Sequence, residues 1–431
     1  MTQPAGGEGA RSGPDERALV LHPDIQSDQH RRPAASGLAE AIALAEALPG
    51  LDVVRGAVVP VRTPQPGTLF GSGKLEELKQ QIKAEEIGLV LIDGPVTPVQ
   101  QRNLEKEWGV KLLDRTGLIL EIFADRAATR EGVLQVELAA LSYQRTRLVR
   151  AWTHLERQRG GLGFVGGPGE TQIEADRRAI DEAITRIRRQ LGKVVKTRAL
   201  HRASRAKVPF PVVALVGYTN AGKSTLFNRL TGAEVLAKDM LFATLDPTMR
   251  AVKLTTGQKV ILSDTVGFIS DLPTQLVAAF RATLEEVLSA DLIVHVRDIS
   301  HVETEAQARD VEAILQDLGV TEDTPRLEVW NKIDLVPAES REAVETLAAR
   351  RPEVHTLSAW TGEGLDALVE AVTEALDGIR SDAEVRLAFS DGRKHAWLHE
   401  NRLVTAERQD DSGWDIEVRW TARQKDAFER L

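Results

Sequence analysis

The 431-residue chain contains no cysteine, no long apolar run and no apolar core in its opening segment MTQPAGGEGARSGPDER. Without cysteine it has neither disulfide bonds nor zinc–thiolate sites, as is usual in a reducing compartment. No run approaches the roughly 18 apolar residues of a membrane span, and a secretory signal would need an apolar stretch near the start. We therefore expect a cytoplasmic protein that does not enter the membrane. With 42% apolar residues the chain can bury several cores, and its length suggests about three domains.

Charge is distributed unevenly along the chain. The formal net charge is −9, but residues 145–207 hold 16 Lys and Arg against 6 Asp and Glu. That segment carries +10, and the rest of the chain therefore carries −19. In an acidic protein, one strongly basic segment is the part that attracts a polyanion.

The order of the apolar patterns divides the chain into five parts. Residues 1–17, rich in glycine, proline and charge, are predicted to be a disordered tail. In residues 18–128 short apolar runs alternate with helical patterns, which is typical of a parallel α/β domain. Two apolar seams in residues 129–207 step by threes and fours, which predicts an antiparallel helical hairpin with a glycine-rich tip. Strands and helices alternate again in residues 208–379 as a doubly wound α/β domain, and residues 380–431 suggest a small α+β domain.

A phosphate-binding loop follows the apolar strand PVVALVG and opens the helical pattern KSTLFNRLTG. In this context Lys223 is expected to contact the β- and γ-phosphates, and the Ser224 hydroxyl to bind magnesium. Asp264, in SDTVG, ends a later strand where a carboxylate would hold magnesium through water, and Gly267 would offer its amide to the γ-phosphate. The predicted residues of the loop are Gly217, Tyr218, Thr219, Asn220, Ala221, Gly222, Lys223 and Ser224.

A threonine from the segment LFATLDPT is expected to close over the metal when a γ-phosphate is present. Thr244 is the natural candidate, although Thr248 and Thr255 compete with it. We predict Ser224 and Thr244 as metal ligands, and Lys223, Thr244 and Gly267 as the catalytic residues. Further residues predicted to line the nucleotide are Phe242, Ala243, Thr244, Leu245, Asp246, Asp264, Thr265, Val266 and Gly267.

The motif NKID predicts guanine as the base. Asp334 would accept hydrogen bonds from the N1 and amino donors of guanine, whereas adenine offers neither at that edge. Asn331 would brace the loop and contact N7, Lys332 would pack over the base, and the Ala359 amide would bind O6. The predicted base-binding residues are Asn331, Lys332, Ile333, Asp334, Ser358, Ala359 and Trp360.

The set GYTNAGKS, FATLD, DTVG, NKID and SAW resembles a translation-factor-class GTPase. More specifically, GGLGFVGGPGETQIEADRR, which lies just before the GTPase domain, resembles the HflX family of ribosome-associated GTPases. The likeness covers nearly the whole chain except residues 1–17 and the last fifty. It implies GTP and GDP as ligands, Mg²⁺ as cofactor and the large (50S) ribosomal subunit as partner. It further implies a role in splitting stalled or idle ribosomes, with GTP favouring the bound state.

Two positions bear on how fast GTP is hydrolysed. Ras-like enzymes place a glutamine after DxxG, but here the residue is Phe268, which neither orients nor deprotonates water. Unless another residue of the chain substitutes, hydrolysis should be slow until the ribosome stimulates it. Asn220 occupies the position that in related GTPases helps to bind K⁺ beside the phosphates. A hydrogen bond that braces the loop is an equally good interpretation of Asn220.

The glycine-rich stretch at residues 160–169 forms the predicted tip of the hairpin. Its GLGFVG matches a dinucleotide fingerprint, but it follows a basic helix rather than a strand, so we reject that interpretation. GTLFGSGK at residues 67–74 is likewise no second phosphate loop, because its spacing is one residue too long. Nine basic and no acidic residues at 186–207 favour RNA binding over a solvated helix with a loose turn.

Two other functions are weighed against a ribosome-splitting GTPase, which we expect to be a monomer. A GTPase acting in ribosomal subunit assembly would prefer precursor subunits to intact ribosomes. A P-loop kinase or an ATP-driven RNA remodeller would bind ATP as tightly as GTP. No second-substrate site is legible in the sequence, which disfavours the kinase most.

Overall fold

The computed structural model describes residues 16–27, 32–158, 168–205, 210–232, 241–242, 244–245, 247–254, 257, 259–270, 286–320, 324–378, 380–410, 412–429 and 431. The chain forms two compact units. The first is Met1–Arg189 with two short later segments, Met240–Phe242 and Leu272–Ala279, and the second is the remainder. The predicted division into five parts stays a prediction.

The first unit contains a four-stranded parallel sheet in the order β2-β1-β3-β4. Glu16 and Arg17, predicted as tail, already belong to β1, where the Glu16 amide donates to the Gly50 carbonyl. That part of the tail prediction is wrong because the sheet register extends to these two polar residues. The elements are β1 (Glu16–Ile25), α1 (Ala34–Glu46), β2 (Leu51–Val61), α2 (Ser72–Ala84), β3 (Leu89–Ile92), α3 (Pro98–Trp108), β4 (Lys111–Asp114) and α4 (Arg115–Arg126).

Local sequence explains where these elements begin and end. In α3, the Thr97 hydroxyl accepts from the Gln100 amide while the Gln100 side chain accepts from Thr97, a reciprocal cap. Gly109 ends the helix at φ 72°, a conformation that glycine adopts without strain. All four residues of β3 are buried, as expected for a strand covered on both faces.

Two long helices follow, α5 (Arg130–Gln158) and α6 (Pro168–Arg205). Arg145 of α5 forms an ion pair with Asp181 of α6 at 2.8 Å. The two residues lie at similar distances on either side of the predicted tip, as in an antiparallel hairpin. Most of that tip, residues 160–167, lies outside the described residues.

The second unit contains a six-stranded sheet in the order β10-β9-β8-β5-β7-β6. Five strands are parallel, but β6 runs antiparallel to β7. Sequence analysis missed β6 because its residues, TMRAVK, form no apolar run. None of them is buried in the structure. The elements are β5 (Val212–Gly217), α7 (Lys223–Thr231), β6 (Thr248–Lys253), β7 (Lys259–Asp264), β8 (Leu292–Asp298), α8 (Thr304–Leu318), β9 (Arg326–Asn331), α9 (Ala338–Ala349), β10 (Val354–Thr356) and α10 (Leu365–Gly378).

The last part of the second unit is a three-stranded antiparallel sheet in the order β11-β13-β12. Its core includes the fully buried Leu398, together with Ile416 and Val418. The elements are β11 (Ser381–Leu387), α11 (Gly392–Glu400), β12 (Val404–Asp410), β13 (Gly413–Trp420) and α12 (Ala422–Glu429). The predicted fold class is confirmed. No helix in the described ranges is long and apolar enough to cross a membrane.

Candidate nucleotide-binding site

Four strands of the six-stranded sheet end close together, and three of their last residues, Gly217, Asp264 and Asn331, were assigned to the site from sequence. Gly217 ends β5, Asp264 ends β7, Asp298 ends β8 and Asn331 ends β9. These strands are parallel, so their carboxyl ends meet at the same edge. Ligands of doubly wound sheets bind at that edge, which places the predicted site where the fold favours it.

The phosphate loop joins β5 to α7 and needs glycine at two positions. Gly217 has φ 151°, and a Cβ there would lie 2.1 Å from the Val296 carbonyl oxygen. Gly222 has φ 94°, and its Cβ would lie 2.2 Å from Asn331 Nδ2. Side chains at these points would collide with a neighbouring strand or with the base-binding motif, so the loop closes tightly only with glycine.

Lys223 is buried at the first turn of α7. Its ammonium donates to the carbonyl oxygens of Gly217 at 3.1 Å and Tyr218 at 2.8 Å. Burial lowers the pKa of Lys223 to about 8, although the nearby Asp264 carboxylate opposes that shift. A phosphate in the loop would give this ammonium a stronger, negatively charged partner.

Two hydroxyl groups converge on one oxygen of Asp264. Ser224 Oγ donates to Asp264 Oδ2 at 2.7 Å, and Thr244 Oγ1 donates to the same atom at 2.9 Å. The two hydroxyl oxygens are themselves 2.9 Å apart. Of the three competing threonines, Thr248 begins β6, and Thr255 lies outside the described residues. The geometry therefore favours Thr244.

This cluster fits a hard divalent cation. Asp264 Oδ1 is buried and has no hydrogen-bond partner within the part of the chain that the structure describes. Burial raises the pKa of Asp264, although Lys223 and both hydroxyls oppose that effect. Hydroxyl and carboxylate oxygens are the ligands that Mg²⁺ prefers. When bound, Mg²⁺ would neutralise phosphate charge at this point.

The segment after Asp264 is held against the phosphate loop by its backbone. The Thr219 amide donates to the Phe268 carbonyl at 2.7 Å, and the Phe268 amide donates to the Gly217 carbonyl at 3.1 Å. The Phe268 side chain is only 1% exposed. Position 268 thus belongs to the core of the domain. The phenyl ring at this position packs in the core, and it also lacks the polar group with which glutamine positions water.

A hydrogen-bond chain that sequence analysis missed links the same two segments. Ser270 donates its amide to Tyr218 Oη at 2.8 Å, and the two hydroxyl oxygens are 2.8 Å apart. Ser270 Oγ also donates to Asp310 Oδ2 of α8 at 2.6 Å. No motif marks Ser270 or Asp310, because their meeting depends on the sheet order rather than on spacing.

Asn331 braces the base-binding region as predicted from its motif. Its Nδ2 donates to the Ala221 carbonyl at 2.8 Å, and its Oδ1 accepts from the Ala359 amide at 2.9 Å. The proposed bond from the Ala359 amide to guanine O6 therefore requires that amide to be shared with or released from Asn331.

The other base-binding candidates lie nearer the surface. Asp334 is exposed in the short 3₁₀ turn Ile333–Leu335. Lys332 has φ 64° and forms an ion pair with Asp298 at 2.8 Å, and Trp360 is 79% exposed. The carboxylate of Asp334 is thus open to a base that enters from solvent, and the aliphatic part of Lys332 is anchored beside it.

The remaining predicted residues are placed as follows. Phe242 belongs to the first unit, where its ring packs edge-on against Phe123 with centroids 4.6 Å apart. Asn220 is exposed at φ 58°, and both the potassium contact and the bracing bond stay hypotheses. Ala243 and Asp246 lie outside the described residues. The buried ones are Leu245, Thr265, Val266, Ile333 and Ser358.

The Lys223 environment predicts that GDP affinity falls about tenfold between about pH 7 and pH 9. In the free chain the Lys223 pKa is about 8, and phosphate binding would raise it, so binding takes up a proton. Affinity is then full below the free-state pKa and is lost as pH rises through it. Calorimetric titration of GDP measures the slope. Lys223→Arg should bind with a flatter profile, because guanidinium stays charged; equal slopes in both proteins would contradict the prediction.

Comparison with known proteins identifies the family of each part of the chain. Family models match residues 35–124 (GTP-binding GTPase N-terminal), 126–205 (GTP-binding GTPase Middle Region), 212–332 (50S ribosome-binding GTPase) and 343–431 (HflX C-terminal domain).

Relatives extend over most of the chain. The protein "GTPase HflX" of Magnetococcus marinus is 51% identical over 92% of this chain and 90% of its own length. "GTPase HflX" of Escherichia coli is 42% identical over 92% of each chain. A crystal structure of SsGBP with GDP is 26% identical, with a TM-score of 0.49, over 83% of this chain and 98% of that one. The two proteins named GTPase HflX, at 51% and 42% identity over 92% of this chain, show that the chain belongs to the HflX family of GTPases, which hydrolyse GTP.

Proposed function

We propose that this GTPase binds the large ribosomal subunit through its helical hairpin and first domain and thereby splits stalled or idle ribosomes. GTP favours the bound, splitting-competent state, and hydrolysis to GDP allows release. The ribosome stimulates hydrolysis, which is slow in the free protein. Mg²⁺, held by Ser224, Thr244 and, through water, Asp264, accompanies the nucleotide.

The observation that carries this proposal is the basic face of α6. Ile184 and Ile187 are buried, while the basic residues among the described side chains at 186–193 are exposed. A helix with one apolar seam and an opposite face of arginine and lysine suits contact with phosphates of structured RNA. The exposed basic residues are Arg186, Arg188, Arg189 and Lys193.

The family supplies the class of partner. The model matching residues 212–332 describes a 50S ribosome-binding GTPase. An acidic chain with its excess positive charge gathered in the hairpin would be repelled by RNA over most of its surface. The hairpin is therefore the natural point of contact with ribosomal RNA.

Within the site, each residue has a proposed task. Lys223 binds the β- and γ-phosphates, Thr244 closes over the metal, and the Gly267 amide meets the γ-phosphate. Asn331, Asp334 and Ala359 select guanine. The chain supplies binding and orientation, and bound ribosome completes the arrangement for hydrolysis.

Reversing two charges on α6 should weaken binding to large subunits. The double variant Arg188→Glu and Arg189→Glu removes two phosphate contacts and adds repulsion, so we expect a loss of about tenfold or more at moderate salt. Sedimentation with purified subunits and a non-hydrolysable GTP analogue measures it, and the salt dependence should become shallower.

The matched control reverses two exposed arginines elsewhere, Arg350→Glu and Arg393→Glu. It changes the net charge equally and should bind nearly as the unaltered protein does. Equal losses in the two double variants would contradict a specific role for α6. A preference for precursor subunits over intact ribosomes would instead indicate a GTPase of subunit assembly.

A further inference from the structure

Three side chains outside the nucleotide site converge on the surface of the C-terminal sheet. His395 and His399 lie on α11, and Glu407 lies on β12. His395 Nε2 is 2.9 Å from Glu407 Oε1, and His399 Nε2 is 2.7 Å from Glu407 Oε2. Their three ligand atoms all lie within 4.8 Å of one another, and no other such group occurs among the described residues.

The sequence spacing explains why the two imidazoles meet. Residues four apart on a helix project from the same face, so both rings stand one above the other toward β12. Their centroids are 4.6 Å apart. Leu398, between them, is fully buried in the domain core, which fixes the rotation of α11. The ligand face is thus determined by core packing rather than by the ligands themselves.

One ring is also held in place before any ion arrives. His395 stacks on Trp414 of β13 at 4.2 Å and an interplanar angle of 17°. Trp414 in turn meets Phe389 edge-on at 4.9 Å. Each oxygen of Glu407 lies within hydrogen-bond distance of one imidazole, so the carboxylate is also held toward the pair. Less conformational freedom therefore has to be lost on binding.

We propose that His395, His399 and Glu407 bind one divalent transition-metal ion, for which zinc is the best match. Two imidazoles and one carboxylate are a ligand set that zinc uses with water in the fourth position. Imidazole nitrogen disfavours magnesium and calcium, so this site would not compete for the Mg²⁺ of the nucleotide. The chain has no cysteine, so any zinc site in it must be built from such residues.

A bound ion would replace the two hydrogen bonds to Glu407 and draw the three side chains together. Tetrahedral coordination at about 2.0–2.1 Å separates ligand atoms by about 3.3 Å, and the three ligand atoms lie within 4.8 Å of one another. The side chains of His395, His399 and Glu407 are 23%, 46% and 26% exposed, so an ion can enter from solvent. Bound metal would tie α11 to β12 and stabilise the C-terminal domain.

Calorimetric titration of zinc chloride into the full chain, loaded with GDP and Mg²⁺, tests the site. We expect one zinc to bind, with affinity reduced about tenfold or more in His395→Ala, His399→Ala and Glu407→Gln. Two controls should bind normally: Glu417→Gln, an exposed carboxylate on the neighbouring strand, and Arg393→Ala on α11. Unchanged GDP affinity verifies folding. Absence of binding at tenfold zinc excess, or equal binding by all variants, would overturn the proposal.

A second measurement locates the ion without removing a ligand. Cu²⁺ bound beside His395 should quench the fluorescence of Trp414. Trp414→Phe keeps an aromatic ring under His395 but removes the emission, so quenching should fall while Cu²⁺ affinity persists. Four of the other six tryptophans lie outside this domain and report binding elsewhere, whereas Trp397 on α11 and Trp420 on β13 belong to the same domain. Quenching that is unchanged in Trp414→Phe would place the ion at another site and refute the assignment.

Discussion

Asp334→Asn is expected to lower GTP affinity about a hundredfold or more, because two hydrogen bonds to a charged acceptor are lost or weakened. The same change should raise affinity for xanthosine triphosphate. Xanthine carries a carbonyl where guanine carries an amino group, and the asparagine amide donates to that carbonyl while its oxygen accepts from N1. Competition binding with the three triphosphates measures the shift, and Glu339→Gln, an exposed carboxylate nearby on α9, serves as the control.

Asp334→Asn tests the contact with the base without disturbing the fold. Asp334 is exposed, so its substitution should leave folding intact. A loss of GTP affinity then reports on the base contact alone. If ATP bound as tightly as GTP and Asp334→Asn changed neither, guanine selection would be refuted, and an ATP-driven remodeller or kinase would be favoured.

Gly267→Ala is expected to reduce GTP turnover about a hundredfold or more while GDP affinity changes only a few-fold. An added Cβ would lie 2.8 Å from Thr219 Cγ2, 2.9 Å from Thr219 Cα and 3.0 Å from Lys223 Nζ. The phosphate-loop backbone cannot yield easily, so the segment carrying Gly267 must retreat and its amide leaves the γ-phosphate position. GDP lacks that phosphate and is little affected.

The control for this variant is Gly192→Ala. Gly192 lies within α6, and a Cβ there meets nothing within 4 Å. Alanine should therefore leave turnover unchanged and favour the helix slightly. Single-turnover hydrolysis and GDP titration separate the two effects. Normal turnover by Gly267→Ala, or a parallel loss of GDP binding, would contradict the proposed role of this glycine.

Much of the fold and the site could be predicted from sequence because both follow local rules. Apolar runs in VVALVG and LIVHVRD give buried parallel strands, and the phosphate motif fixes the backbone around Lys223 through its glycines. Motif order also places Asp264 and Asn331 at strand ends, where parallel strands meet. Periodicity and spacing were sufficient for these features.

What could not be predicted depends on long-range packing. Strand β6 has no buried face, so only its pairing with β7 identifies it. Thr244 is the natural candidate in sequence, but two other threonines compete with it, and only its hydrogen bond to Asp264 distinguishes it in the structure. The chain of Tyr218, Ser270 and Asp310 has no motif, because its members come from three different elements.

The proposed GTPase is slow alone and is activated when it binds the ribosome. GTP turnover by the purified chain, measured with and without purified large ribosomal subunits, tests this most directly. We predict stimulation of about tenfold or more, which disappears when residues 160–169 are deleted while GDP affinity is retained. Rapid turnover by the isolated protein, unaffected by subunits and indifferent to the base, would contradict it.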